Sequence, residues 1–324
     1  MPFWKRSSPE EKAQLLQQQQ EAEASRQALE AGGLPLKAQR RLREEMKAGH
    51  TLFTSDLSAS ELLLARQLGY QPLSQIMGSS IYQIGWQYTR QYTWNAQSSE
   101  LSTLSQAHQH AAALALNRLE QEAKLVGAHG VIGVRFTRRS YEWGNNLLEY
   151  TAIGTAIKLP NTPLTGRPFL SDLSGQEFWT LLQAGYYPAG VVTGYCSYYV
   201  ALGSNMTQQI VGWWTGGTNQ EIVPFTQGLY NARHLAMRRA DEMARNQQAL
   251  GIVGMHIEND RQVHEYETDN PQRKYMDLYV HFAVLGTAII TVKKEHIIPT
   301  PKATLTLTDL RPGSYGQNQE LTLR

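Results

Sequence analysis

The sequence predicts an α+β protein built from two tandem copies of one strand–helix–strand–strand unit behind a helical arm. An internal repeat is the first ground for this. Phe53-Thr54-Ser55-Asp56-Leu57-Ser58, then Gly69-Tyr70-Gln71-Pro72, Gly78 and Tyr82, returns as Phe169-Leu170-Ser171-Asp172-Leu173-Ser174, Gly185-Tyr186-Tyr187-Pro188, Gly194 and Tyr198, at a constant offset of 116 residues. Further on, Gly133 returns as Gly254 at an offset of 121, and Gly154-Thr155-Ala156-Ile157 returns as Gly286-Thr287-Ala288-Ile289 at an offset of 132. Periodicity is the second ground. Each copy holds one long stretch with apolar residues at three- and four-residue steps, flanked by β-type segments. At 324 residues the chain can hold two domains of ordinary size with full cores.

The arm occupies residues 1–50. Pro9-Glu10-Glu11 suits a first helical turn, because proline gives up no bonded N–H there and acids complement the helix dipole. That helix is expected to reach about Glu30, with Gly32-Gly33 as its stop and Leu34-Pro35 leading into a second, basic helix that ends near Lys47. Leu15, Leu16, Leu29, Leu34, Leu36, Leu42 and Met46 are too few for a core, so the arm must dock on something or stay mobile.

The first copy spans 51–160. Ser58-Ala59-Ser60-Glu61 is a capping box and Gly69 a left-handed helix stop. Tyr70 to Tyr88 reads as extended. Leu101, Leu104, Ala111, Ala115, Leu119, Ala123 and Val126 then place one apolar stripe on a helix over 98–126. Val131–Trp143 and Leu147–Leu159 are strands turned by Gly144-Asn145. The second copy spans 168–294, after a short Pro/Gly linker. Ser174–Glu177 and Gly185 repeat the cap and the stop, Tyr186–Leu202 is extended, Phe225–Ala249 is the long helix, and Ile252–Tyr266 and Tyr275–Val292 close it around Asp269-Asn270-Pro271. In the tail, 295–324, only Thr304-Leu305-Thr306-Leu307 alternates like a strand.

Composition narrows the function. Thirty Lys and Arg against 28 Asp and Glu leave a net charge of +2, and the basic clusters (Arg40-Arg41 with Arg43, Arg138-Arg139, Arg238-Arg239, Lys293-Lys294) are too short for a phosphate footprint. No nucleic-acid partner is expected. A single cysteine, Cys196, excludes an intrachain disulfide framework and fits a reducing, cytoplasmic compartment. No apolar run reaches the ~18 residues of a spanning helix. Peripheral membrane contact through Phe3-Trp4-Lys5-Arg6 stays open.

No catalytic, cofactor-binding or metal-ligating set emerges. The chain lacks a Gly-x-Ser-x-Gly elbow, a phosphate loop and a His-Glu-x-x-His helix. A soft metal wants several thiolates or imidazoles together. His108 and His110 are two apart on a helix and hence on nearly opposite faces, and Cys196 stands where the first copy has Ser80. With Gly254 across from Gly286, His281 opposes Asn259, about 10 Å along the strand from His256. The aromatic load says more. One helix covers one face of a small three-stranded antiparallel sheet, leaving a face and edges for a partner, and Tyr and Trp are enriched at such contacts. Tyr82, Trp86, Tyr198, Trp213 and Trp214 are therefore candidates for an oligomer interface or the core, and the paired glycines Gly78/Gly194, Gly133/Gly254 and Gly154/Gly286 are candidate structural positions.

The Gly78-Ser79-Ser80-Ile81-Tyr82 turn, the helix running into Gly127-Ala128, Val131-Ile132-Gly133-Val134 and the closing Gly154–Ile157 stretch resemble the YbjQ-like family of bacterial proteins, which carries a heavy-metal-binding label. The resemblance covers about residues 51–159 and 169–292; the second copy has Ala249-Leu250 in place of the Gly-Ala pair. It implies a dodecin-like β-α-β-β fold and assembly into rings, commonly pentamers. Leu29-Glu30-Ala31-Gly32-Gly33-Leu34 before a charged helix resembles the short helical module called SHOCT, although a plain solvated helix pair fits the same residues. The expected function is a non-enzymatic homo-oligomeric ring or scaffold presenting its arms to a protein partner. The alternatives are a metal-binding or metal-responsive protein with sites between subunits, and a small-molecule binder.

Overall fold

The apolar stripe expected over 98–126 folds as a helix, and its alanines let a sheet approach closely. In the computed structural model this is α4 (Ser102–Leu125), with Ala111, Ala115, Leu119 and Ala123 fully buried. The structure describes residues 9–47, 54–83, 98–141, 147–160, 164, 166–202, 221–267 and 274–291. Trp86, Trp213, Trp214, the Gly144-Asn145 turn, Asp269-Asn270-Pro271, Phe3–Arg6 and the Thr304–Leu307 segment lie outside the described residues.

The arm forms α1 (Pro9–Glu30) and α2 (Leu36–Lys47), and α3 (Ala59–Gln67) follows. A first sheet holds β1 (Gln71–Gln83), β4 (Leu147–Lys158), β3 (Gly130–Tyr141) and β5 (Phe169–Leu170), in that order. After α5 (Gly175–Gln183) the second sheet holds β2 (Ser99–Glu100), β6 (Tyr186–Leu202), β8 (Lys274–Thr291) and β7 (Gly251–Glu267), with α6 (Val223–Asn246) between β6 and β7 in the chain. The long strands are antiparallel, as expected. The expected three-stranded sheets are four-stranded, because each gains a two-residue strand: β2 precedes α4 yet pairs with β6, and β5 precedes α5 yet pairs, in parallel, with β3.

Positions matched by the sequence repeat take the same local structure. Ser58 and Ser174 both complete capping boxes, with Glu61 and Glu177, and Gly69 and Gly185 both take left-handed φ. The Ser-Asp motif exists to grip the Gly-Thr-Ala-Ile strand: Asp56 N–H donates to Thr155 Oγ1 at 3.0 Å, and Asp172 N–H donates to Thr287 Oγ1 at 3.0 Å. Gly78 and Gly194 admit their helices. A Cβ on either would collide with a backbone carbonyl oxygen, of Ala115 or of Ala236. Gly154 and Gly286 are similarly crowded, by Val131 and Ile252. Gly133 and Gly254 sit with positive φ in matched bulges of β3 and β7.

The bulge corrects one expected register. It adds one residue to β7 between Val253 and His256, so Asp260 rather than Asn259 faces His281. Helix α6 also stops short of Ala249, since Gln248 adopts φ 56°. The arm docks within its own chain, with Leu34 and Leu42 buried and Leu42 packed beside Leu116, Leu119 and Val126.

Gly78→Ala and Gly194→Ala should each lower unfolding free energy by about 1–3 kcal/mol, the cost of overpacking a fixed contact. Gly251→Ala, where an added Cβ meets nothing within 4 Å, should stay within about 0.5 kcal/mol of the parent. Denaturant titration of the three variants checks this ranking.

Candidate functional site at the junction of the two sheets

On β6 and β8 the side chains of Cys196, Val200, Val280, Phe282 and Val284 pack with the alanines of α6. Strand alternation sends Tyr195, Ser197, His281 and Ala283 to the other face. There Tyr195 and Ala283 join Ala111, Ala112 and Ala115 of α4 and Leu148 and Tyr150 of β4 in one buried cluster. The second sheet thus has a helix on one face and the first sheet, with α4, on the other.

A polar group is sealed inside this contact. His108 Nδ1 lies 2.6 Å from Tyr150 Oη, and Tyr195 is hydrogen-bonded to Tyr150 in turn. The His108 ring stacks on Tyr195 at 5.9 Å and lies 6.1 Å from the ring of His281, whose Nδ1 is 2.9 Å from Ser197 Oγ. Arg138, ion-paired with Asp260, borders the group. Burial first, then the Arg138 charge and His281, pushes His108 down to about 3. Burial and Arg138 likewise hold His281 below its ordinary value, and burial lifts the Tyr150 and Tyr195 phenols. At neutral pH both histidines are uncharged, so a Tyr195–Tyr150–His108 hydrogen-bond chain satisfies the interior without any net charge. Such a set orients and seals. It is poised for neither proton transfer nor nucleophilic attack near neutral pH.

Further hydrogen bonds join the two halves of the chain. The N–H of Leu101 donates to Ser197 O at 2.8 Å and the Ser197 N–H donates to Ser105 Oγ at 2.9 Å, fixing the start of α4 along the β6 edge. Gln109 donates to Thr193 O, and Arg239 bridges Tyr195 O and Glu100 Oε1. The segment at Phe169–Leu173 runs along the β3 edge: Ser171 N–H donates to Val131 O, while Val134 and Gly133 N–H donate to Ser171 O and Leu173 O. Finally, Glu61 accepts from the N–H of Ser58, its own helix cap, and from Gly175 N–H at the start of α5 at 2.7 Å. Burial opposes its charge, but these hydrogen bonds outweigh burial and hold its carboxyl below the ordinary range.

The predicted residues divide between core and junction. Tyr82 packs beside the junction cluster with its ring 5.6 Å from His110, and Tyr198 flanks the α6 core, accepting from Asn231 at 3.4 Å. The six paired glycines serve packing and bulges within each sheet. The sequence alone did not single out His108, Tyr150, Tyr195 and His281 as a group. Their available signal was a difference between copies: at the repeat offsets His108 becomes Leu229 and Tyr150 becomes Phe282.

The residues do not fit a soft-metal centre. Among the described residues no three His, Cys, Asp or Glu side chains converge. The Cys196 thiol is buried and pushed up to about 12, and the Nδ1 atoms of His108 and His281 are committed to Tyr150 and Ser197.

His108 titrates below its unfolded value of about 6.5, so the unfolded chain takes up its proton first. The stability due to neutral His108 is complete above pH 6.5 and falls towards pH 3 at about 1.4 kcal/mol per pH unit. His108→Gln should show a flatter acid limb over this window in denaturant titrations at stepped pH. Parallel curves would contradict the buried neutral histidine.

A family model described as "Putative heavy-metal-binding", YbjQ_1, matches residues 90–160. The encapsulin nanocompartment protein Rv1762c of Mycobacterium tuberculosis is 36% identical over 221 residues, covering 66% of this chain and 80% of its own length. A UPF0145 protein of Enterococcus faecalis is 34% identical over 67 residues, 21% of this chain and 62% of its own length. No solved structure matches the chain. With a family model matching residues 90–160 and a relative aligned over 80% of its own length in agreement with the motifs, the chain belongs to the YbjQ-like family.

Proposed function

We propose that the protein is a non-enzymatic, self-assembling scaffold: two tandem dodecin-like β-α-β-β domains per chain, chains joined head to tail, and the series closed into a ring of five in the cytoplasm. The observation that carries this is the junction inside the chain, because among the described residues the repeat counterparts of its two sides lie exposed on β1 and β7. Thr193 and Ser197, buried at the junction, have Met77 and Ile81 as repeat counterparts, and these are 48% and 66% exposed on β1. Phe136, which stacks on Tyr150 at 5.4 Å, has Ile257 as counterpart, 46% exposed on β7. One end offers the face that the second sheet uses, and the other end offers the helix and face that the first sheet uses.

Such complementary, non-identical ends make a heterologous contact, which closes into a ring or continues as a filament. Exposed Met, Ile and strand edges also favour cover by a partner. The relative named as an encapsulin nanocompartment protein supports an assembly-related role. No described helix is long and apolar enough to cross a membrane. Of the SHOCT-like arm, α1 keeps Leu15 and Leu16 exposed, and that helix is the part open to a partner protein.

Light scattering at micromolar concentration should give an integer multiple of the 36.5 kDa chain mass, five being expected. Ile81→Glu and Ile257→Glu should each lower the particle mass with helix content unchanged by circular dichroism. A wild-type particle of one chain mass would overturn the proposal.

A further inference from the structure

The arm and the second half of the chain treat two equivalent arginines differently. Arg118 on α4 and Arg239 on α6 stand at the repeat offset of 121 residues, and each donates to a backbone carbonyl at the edge of its own sheet. For Arg118 this is Ser79 O on β1, at 2.6 Å, and for Arg239 it is Tyr195 O on β6, the repeat counterpart of Ser79. Their remaining donors diverge. Arg239 grips the Glu100 carboxylate at 2.6 Å, in the segment that leads into α4 and adds β2 to the β6 edge. Arg118 instead donates to Gly33 O at 3.1 Å and Leu29 O at 3.2 Å in the turn between α1 and α2. Gln121 donates to Gly32 O in the same turn.

Among the described contacts Arg118 therefore has three carbonyls and no carboxylate. Burial pushes its guanidinium down, as expected where no anion offsets the desolvation. Glu221, the counterpart of Glu100, stands exposed just ahead of α6, followed by Ile222 as the helix cap, as Leu101 caps α4. Among the described residues no contact brings Glu221 to Arg118.

We propose that the arm is an internal competitor for the self-assembly edge: its Leu29–Gly33 turn occupies on Arg118 the place that Glu221 of a second copy takes in the assembly. This rests on the head-to-tail proposal above. The carboxylate is the stronger ligand, since it adds a full opposite charge and can take the guanidinium fork with both oxygens, which a neutral carbonyl cannot. The arm has the advantage of being tethered, with an effective concentration on the order of mM. Dilute chains thus keep Arg118 occupied by the arm, and concentrated chains exchange the arm for a neighbour. Leu34 and Leu42 anchor the arm to the body and set how readily it leaves.

The test uses the full chain. Sedimentation velocity over a dilution series should show Leu42→Asp and, independently, Leu34→Asp assembling at about tenfold lower concentration than wild type, the tethered competitor having been weakened. Adding Glu221→Lys to either should abolish that gain. In wild type, hydrogen exchange of residues 29–36 should be faster in the assembled particle than in the dilute chain, a readout that needs no variant to fold. Variants that assemble at the wild-type concentration or above it, or equal or slower exchange of 29–36 on assembly, overturn the competition while leaving self-assembly standing. A wild-type chain that stays single throughout the series overturns self-assembly and the competition together.

Discussion

The start of α4 is claimed twice. Its alanine stripe packs into the first sheet, while Leu101 N–H and Ser105 Oγ take both outward backbone groups of Ser197 on the second. An edge residue with a free N–H and C=O is costly to bury unsatisfied, and here both are met by one helical turn of another unit. The rest of the junction depends on that placement. With α4 held along β6, Glu100 reaches Arg239, Gln109 reaches Thr193, and the His108 ring lands on Tyr195. The short strands β2 and β5 then lace each sheet with residues from the other half of the chain.

The polar group at the centre is compatible with this packing because it carries no charge. A buried ion pair there would bring a desolvation penalty that its mutual attraction need not offset. Two phenols and two neutral imidazoles instead need only hydrogen bonds, and the described ones pair Tyr195 with Tyr150, Tyr150 with His108 and His281 with Ser197. The Arg138–Asp260 pair stays at the rim, where Asp260 keeps access to water. At the repeat offsets Leu229 and Phe282 replace His108 and Tyr150, so the counterpart surface of the second copy is apolar at these two positions.

Much of the fold was legible because local chemistry repeats. Capping serines and left-handed glycines each carry a mechanism that tertiary context does not override. The glycines at 78 and 194 were legible as a pair, but their cause, a helix carbonyl against the strand, is a contact between distant segments. Two-residue strands have no period to detect, so β2 and β5 were invisible. The bulge at Gly254 shifted His281 by one partner, a change that no alternation pattern encodes. Nor could the junction group be read, because His108, Tyr150, Tyr195 and His281 sit on four elements whose only meeting point is the interface. Of the aromatic candidates for an interface or the core, Tyr82 packs beside the junction cluster and Tyr198 flanks the core under α6.

The central claim is that the contact between chains copies the contact within the chain, and a mixing experiment tests it most directly. Ile81→Glu spoils only the β1 end and Ile257→Glu only the β7 end, so each variant retains one intact, complementary surface. Mixed in equal amounts, the two variants should form a particle of two chain masses that neither grows nor appears in either variant alone. Failure of the mixture to exceed one chain mass, or pairing of one variant with itself, would contradict a head-to-tail junction.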